Sequence, residues 1–102
     1  MAILIAMYHK PTDPAAFDRY YFEKHVPIAK QLPGLRRYQI TRGPIMRLEG
    51  ASPYHLIATL SFDSVAAIQS AIASPEGKAT AADLGNFAQA GAELFIAESE
   101  VI

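Results

Sequence analysis

The sequence predicts one α+β domain, over residues 1–102, with the element order strand, helix, strand, strand, helix, strand. Two observations support this order. Apolar stretches of strand length stand at the start, middle and end of the chain, and segments that begin with helix-capping residues separate them. A chain of 102 residues is also the size of a single domain.

The first strand and first helix are predicted near the N-terminus. The segment Ala2 to Tyr8 is apolar on both faces, which is typical of a central strand. Asp13 and Pro14 mark a helix start, because the carboxylate caps free N–H groups and proline lacks an N–H where none is needed. At about 100° per residue, one apolar stripe faces the sheet; it contains Phe17, Tyr21, Ile28 and Leu32.

A proline interrupts this helix near its end. Pro27 has no N–H to donate, and its ring is expected to push Val26 out of helical backbone angles. We expect the resulting break to turn the neighbouring His25 imidazole toward a cavity. The segment Leu32-Pro33-Gly34 then ends the helix.

Two paired strands are predicted in the middle of the chain. Mixed alternation from Leu35 to Arg42 indicates a strand with one wetter face, and Tyr54 to Phe62 indicates a buried strand. We expect these strands to pair antiparallel. The segment Ile45 to Pro53 between them is expected to be a loop or a frayed hairpin arm.

Two helical segments and a last strand complete the domain. Asp63-Ser64 caps a helix with Val65, Ile68 and Ile72 as its apolar stripe. Ser74-Pro75 starts a second segment, expected to run irregularly toward Phe87. The segment Ala92 to Ile102 indicates a strand closer to an edge than to the centre. The order is that of a ferredoxin-like βαββαβ sandwich.

Charge and composition exclude several partners. Nine Lys and Arg against ten Asp and Glu leave a net charge of −1, so no basic field attracts nucleic acid. Without cysteine there is no disulfide, thiolate nucleophile or sulfur metal site. The apolar run Met1 to Met7 lacks a cationic start and is too short to span a bilayer, so we expect a cytoplasmic protein with no membrane partner.

The same composition predicts self-association. Hydrophobic residues make up 51% of the chain and charged residues 19%, which is rather apolar for a small monomer. We therefore expect part of the apolar surface to be buried in a homodimer.

No motif indicates a cofactor or a metal. His9, His25 and His55 lie in different elements, and their spacing does not suggest a shared metal. Neither a serine-hydrolase motif nor a glycine-rich phosphate loop is present. Arg36, Arg37 and Arg42 are expected to hold acidic groups, although an arginine at a cleft mouth would attract a carboxylate-bearing substrate.

Two stretches of the chain resemble the EthD family. The first consists of Met7-Tyr8-His9-Lys10-Pro11, Phe17, Tyr20-Tyr21, His25-Val26-Pro27-Ile28-Ala29, Leu32-Pro33-Gly34-Leu35 and Tyr38. The second consists of Ser74-Pro75-Glu76-Gly77, Ala81-Ala82-Asp83 and Asn86-Phe87. Only the loop from Gly43 to Pro53 is unmatched. The resemblance implies a dimeric α/β barrel, in which two ferredoxin-like sheets pack face to face and each protomer keeps a cleft between sheet and helices.

The resemblance also implies a range of functions. The family is named for a role in degrading ethyl tert-butyl ether beside an oxygenase system, and similar small barrels include cofactor-free monooxygenases, isomerases and aromatic decarboxylases or cyclases. This implies a cofactor-independent oxidoreductase, isomerase or decarboxylase of catabolism, acting on a small apolar organic molecule. The alternative is a non-enzymatic binding or accessory protein that serves a partner oxygenase.

Four residues are candidates for the site. His25 matches the family's helix histidine and suits acid–base catalysis near neutral pH, although a histidine beside an apolar helix face also serves in packing. Tyr21, one turn earlier, is expected to orient His25 or to bind a substrate oxygen, although a tyrosine on such a stripe is usually a core residue with a solvated hydroxyl. Tyr8 and Tyr38 match family positions and are expected to line the cleft, although aromatic residues in strands also fill cores.

Overall fold

A four-stranded antiparallel sheet forms the base of the fold in a computed structural model that describes residues 1–102. The strands are β1 (Ala2–His9), β2 (Arg37–Ile40), β3 (Tyr54–Phe62) and β4 (Ala92–Glu98), in the spatial order β2-β3-β1-β4. Every neighbouring pair is antiparallel. The predicted ferredoxin-like order is confirmed: β1 is central, β3 pairs with β2, and β4 is an edge strand.

The helices lie on one face of this sheet. They are α1 (Pro14–Tyr20), a π-helical turn (Tyr21–His25), α2 (Val26–Ala29), α3 (Val65–Ala73) and α4 (Pro75–Phe87). The predicted caps are present, because the side chains of Asp13, Ser64 and Ser74 each accept a hydrogen bond from an N–H of the following turn. None of these helices has the length and apolar character needed to cross a bilayer.

The expected break at Pro27 is wrong. Val26 keeps helical angles, with φ −56° and ψ −48°, and its N–H bonds to the carbonyl of Tyr21, five residues earlier. The π turn therefore absorbs one extra residue and lets the helix continue. Pro27 falls in the first turn of α2, where a residue without an N–H is tolerated.

The π turn decides which side chains face the sheet. In an α-helix each residue i+4 is rotated by about 40° past residue i, so a row spaced by four drifts around the helix. The wider π turn rotates in the opposite sense and cancels part of that drift. The buried row is consequently Phe17, Tyr21, His25 and Ala29, whereas Ile28 of the predicted stripe is only half-buried.

Two element boundaries and the regularity of one helix differ from the predictions. The regular part of β2 is shorter than Leu35 to Arg42, although Arg36 and Thr41 still donate backbone hydrogen bonds to β3. The last strand ends at Glu98. The second helical segment is a regular α-helix through Phe87, since its backbone bonds outweigh the weak helix propensity of a glycine near its end.

The sheet has one covered face and one open face. Alternate residues of the strands point toward the helices and form the core with Phe17, Tyr21, Ile68 and Phe87. The residues between them point away, where no element of the chain covers them. We call this surface the open face; its apolar residues are Ile3, Ile5, Met7, Ile57 and Phe95, and polar residues of the neighbouring strands, such as Thr59, Glu93 and Arg37, share it.

A glycine permits the close approach of α3 and α4. A Cβ atom at Gly77 would overlap the backbone carbonyl oxygens of Ala71 and Ile72. We predict that Gly77→Ala lowers the free energy of unfolding by about 2–3 kcal/mol, because backbone atoms cannot move aside as a flexible side chain does. Chemical denaturation at one protein concentration measures this loss.

Gly85 is the matched control within the same helix. A Cβ atom there meets nothing within 4 Å. Gly85→Ala is therefore expected to stabilise the protein by up to about 1 kcal/mol, the usual gain of alanine over glycine in a helix. Equal effects of the two substitutions would contradict the steric explanation.

Candidate active site

A cavity of about 200 Å³ lies between the covered face of the sheet and the helices. Fourteen of its 17 lining residues are hydrophobic, and none is Asp, Glu, Lys or Arg. The sheet contributes residues such as Leu4, Ala6 and Leu60, and the helices contribute residues such as Leu84. The cavity therefore suits a small and mostly apolar molecule.

The cavity opens between α3 and the edge strand β4. Ile72, Leu94 and Ile96 line the cavity and yet are 42%, 52% and 41% exposed. They form an apolar rim at its entrance. Ile72 was predicted to lie on the packed stripe of its helix, whereas Ala71 takes the buried position beside it.

His25 lies in the wall of this cavity and pairs with Asp83. The Nδ1 atom is 2.9 Å from Asp83 Oδ2, and both side chains are almost completely buried. Because a carboxylate only accepts hydrogen bonds, Nδ1 carries the proton in this pair. The π turn positions the histidine, and α4 positions the aspartate.

Two further donors hold the Asp83 carboxylate. The Tyr20 hydroxyl donates to Oδ1 over 2.6 Å, and the Asn86 amide donates to the same oxygen over 3.0 Å. Burial alone would raise the pKa of Asp83, but the hydrogen bonds from Tyr20, Asn86 and His25 outweigh it and hold the pKa below its usual value. The carboxylate is therefore ionised near neutral pH.

The second ring nitrogen of His25 has no partner in the protein. All fully enclosed side-chain nitrogen and oxygen atoms have hydrogen-bond partners, so the unpaired Nε2 keeps accessible surface, which the cavity supplies. Burial lowers the pKa of His25, and the neighbouring Asp83 opposes this only in part. The ring is therefore neutral near pH 7, with a lone pair on Nε2 that can accept a proton.

Three tyrosines line the same cavity as His25. The hydroxyls of Tyr21 and Tyr38 are 2.6 Å apart, and the Tyr8 ring packs edge-on against Tyr21. Burial is the main cause that raises the pKa of Tyr8, Tyr21 and Tyr38, so all three hydroxyls keep their protons at neutral pH. They are hydrogen-bond donors in an otherwise apolar space.

The four residues singled out from the sequence thus lie around one cavity. The roles of Asp83 and Tyr20 were not predicted, although both residues stand in the motifs that carry the family resemblance. His25 and Asp83 are 58 residues apart, and no local pattern connects them. The place of Asp83 and Tyr20 in those motifs was the available signal.

The other charged candidates lie elsewhere. His9 pairs with Glu93 and His55 with Asp18, so each histidine has a different carboxylate partner. No three potential ligands come together in a metal site. Among the arginines, Arg36 pairs with Asp63 on the surface and Arg42 lies over the Phe22 ring, and neither lines the cavity.

The fold and the cavity define a ferredoxin-like α+β protein with an apolar pocket between its sheet and helices. The EthD domain model matches residues 9–91. A relative in Rhodococcus erythropolis, an uncharacterized 11.0 kDa protein in the thcB-thcC intergenic region, is 40% identical over 97 residues, which are 94% of this chain and 92% of that protein. The chain therefore belongs to the EthD family.

Solved structures share the fold. An EthD family protein from Bacillus halodurans superposes with a TM-score of 0.89 at 36% identity, covering 98% of this chain and 99% of that one. SnoaB, a cofactor-independent oxygenase from Streptomyces nogalater, superposes with a TM-score of 0.68 at 16% identity, covering 99% of this chain and 94% of that one. At this low identity SnoaB shows a common fold.

The lowered pKa of His25 predicts a pH dependence of stability. Just below the usual pKa of 6.5, the unfolded chain binds more protons than the folded protein. The stability that His25 contributes to the folded protein is therefore complete above pH 6.5. It is lost as the pH falls through the lowered pKa of His25 in the folded protein. Asp83 also makes the folded protein less stable as the pH falls, but only at lower pH, below its usual pKa of 3.8.

NMR titration and denaturation between about pH 5 and 8, where histidine ordinarily titrates, test this. The His25 ring is expected to titrate below 6.5, and His25→Gln is expected to flatten the loss of stability in this range. His55→Gln, which removes a histidine outside the cavity, should leave the titration of His25 unchanged. A His25 pKa at or above 6.5 would contradict the prediction.

Proposed function

We propose that this protein is an enzyme that binds a small, mostly apolar organic molecule in the cavity and uses His25 as its acid–base group. The observation that carries this proposal is the His25–Asp83 pair, which presents an unpaired and neutral Nε2 to an otherwise apolar space. Asp83 is a positioning residue, because it fixes the tautomer and the orientation of the ring without facing the cavity.

The proposed reaction begins with proton transfer. Nε2 takes a proton from the bound molecule, the electron pair stays on the substrate, and Asp83 stabilises the imidazolium that forms. A delocalised carbanion can then give one electron to dioxygen and form a C–O bond with the resulting superoxide, and the proton held by His25 completes a hydroperoxide. Such oxygenation needs no cofactor. Return of the proton to a different carbon would instead give isomerisation. SnoaB, a cofactor-independent oxygenase with this fold, supports the first of these reactions.

Decarboxylation has less support from the cavity. A substrate carboxylate would need a cationic partner, and none of the lining residues is Lys or Arg. The alternative function, a binding or accessory protein for a partner oxygenase, would use the same cavity but would require no proton acceptor at Nε2. Substitution of His25 distinguishes catalysis from simple binding.

Removing the imidazole is predicted to slow turnover strongly without unfolding the protein. Compounds that native mass spectrometry detects on the purified protein, together with small enolisable ketones, are assayed as substrates. His25→Asn is expected to lower kcat by about two to four orders of magnitude, the usual contribution of a positioned acid–base group. Product formation and oxygen consumption measure the rate.

His55→Asn is the matched control, because His55 also bonds to an aspartate, Asp18, but lies outside the cavity. This variant is expected to keep full activity. Melting curves of both variants exclude loss of fold, since a structural histidine would chiefly cost about 1–3 kcal/mol of stability. A folded His25→Asn with full turnover would exclude His25 as the acid–base group, whereas a wild type that binds these compounds without turnover would favour the binding-protein alternative.

We also propose that the protein is a homodimer whose protomers meet through the open face. This surface presents large apolar side chains side by side on the central strand and on β4, and Ile5 lies directly opposite Phe95, which is 49% exposed. Small monomers rarely leave such a patch in water. A second copy of the sheet covers it with a surface of the same shape, as a two-fold dimer requires.

A charge at the centre of the open face is predicted to produce monomers. Light scattering of the wild type should give twice the 11.1 kDa chain mass at micromolar concentration, and Ile5→Lys should give the single-chain mass because the interface would bury an unpaired ammonium. Ala66→Lys, on the exposed side of α3, is the control and should remain dimeric. A monomeric wild type would contradict the proposal.

A further inference from the structure

The hydrogen-bond pattern of the cavity leaves two donors without acceptors. Tyr21 is completely buried, so its proton must be used within the protein, and the hydroxyl of Tyr38 is the partner that accepts it over 2.6 Å. The proton of Tyr38 then has no acceptor in the protein. The Tyr8 hydroxyl has no protein partner either, and because it is not fully enclosed it also opens on the cavity.

The cavity also contains one acceptor without a donor. Nε2 of His25 is unpaired, and the remaining polar side chain of the lining, Thr80, already donates to the carbonyl of Glu76. A complementary ligand therefore carries an oxygen that accepts from Tyr8 and Tyr38, together with a proton that His25 can remove. The rest of that ligand is apolar.

The charge around the cavity selects against anions. No cationic side chain lines it, and the ionised Asp83 carboxylate lies directly behind the His25 ring. A ligand with a carboxylate or phosphate would lose its hydration without gaining a counter-ion. A neutral oxygen, by contrast, needs only the two hydroxyl donors.

We propose that the substrate is a neutral enolisable ketone or phenol, whose oxygen is held by the hydroxyls of Tyr8 and Tyr38 while Nε2 of His25 removes the adjacent proton. This inference rests on the proposed function and adds the substrate class and the groups that stabilise the anion. For a ketone, the α-C–H bond breaks, an N–H bond forms on His25, and the electron pair moves to the oxygen as an enolate. The two hydroxyls then donate to that negative oxygen, where hydrogen bonds are strongest.

Three probes of similar ring size test the donors. They are 1-tetralone, which is a neutral enolisable ketone, tetralin, which lacks the oxygen, and 1-naphthoate, which is an anion. Calorimetric titration is expected to show that 1-tetralone binds about fivefold or more tightly than tetralin, the effect of two neutral hydrogen bonds. We expect 1-naphthoate to bind at least about tenfold more weakly than 1-tetralone, because one uncompensated charge costs more than this.

Hydroxyl-deletion variants assign the effect to the tyrosines. Tyr8→Phe is expected to weaken 1-tetralone binding about two- to tenfold and to leave tetralin binding unchanged. The same result is expected for Tyr38→Phe combined with Tyr21→Phe, because Tyr38→Phe alone would leave the buried Tyr21 hydroxyl without its acceptor. Tyr54→Phe is the control, because its hydroxyl donates to Glu93 outside the cavity. Melting curves establish that each variant is folded.

Proton removal is measured separately, as exchange of the α-hydrogens of 1-tetralone in D2O. Wild type is expected to accelerate the exchange, and His25→Asn to lose this acceleration while it still prefers 1-tetralone to tetralin.

Equal binding of the ketone and the hydrocarbon, or tighter binding of 1-naphthoate, would overturn the substrate class and leave the apolar site in place. Preferred ketone binding without exchange would support the donors and overturn His25 as the base. If neither 1-tetralone nor tetralin bound, the proposed substrate class and the proposed apolar binding site would both be contradicted.

Discussion

The buried carboxylate of Asp83 is the interaction on which the site depends. An ionised group in the protein interior is stable only when its oxygens are hydrogen-bonded, and three donors from two helical regions meet this need. Tyr20 and His25 reach it from the first helical region, and Asn86 reaches it from α4. The same contacts therefore join these helices, fix the His25 tautomer and leave Nε2 open to the cavity.

The π turn makes that contact possible. A regular α-helix from Pro14 to Ala29 would drift, and a row of side chains spaced by four residues would leave the face that packs on the sheet. The turn at Tyr21–His25 corrects the drift and keeps Tyr21 and His25 in one buried row. Such turns are frequent at functional sites, and here one keeps the proposed base His25 on the same face as Tyr21, whose hydroxyl bonds to that of Tyr38.

The sheet separates the two proposed roles of the protein. Side chains alternate along each strand, so Tyr8 of β1 points into the cavity and Ile5 of the same strand lies on the open face. Apolar residues on both faces explain the almost unbroken hydrophobic run of this strand. One face is covered by the chain's own helices, and a second copy is the proposed cover for the other.

Local signals in the sequence determined the fold. Strand-length apolar runs, the caps at Asp13, Ser64 and Ser74, and the glycine and proline stops act over a few residues, so they can be recognised without a structure. The family resemblance likewise pointed to His25 and the three tyrosines. Only the tertiary structure showed that a π turn precedes Pro27 and lets the helix continue. Only the tertiary structure, too, showed that Asp83 lies 2.9 Å from His25. The π turn keeps a row of side chains against the sheet, and the His25–Asp83 pair joins residues 58 apart in the chain. Neither requirement is visible in a few neighbouring residues, because a buried carboxylate takes its donors from wherever the fold places them.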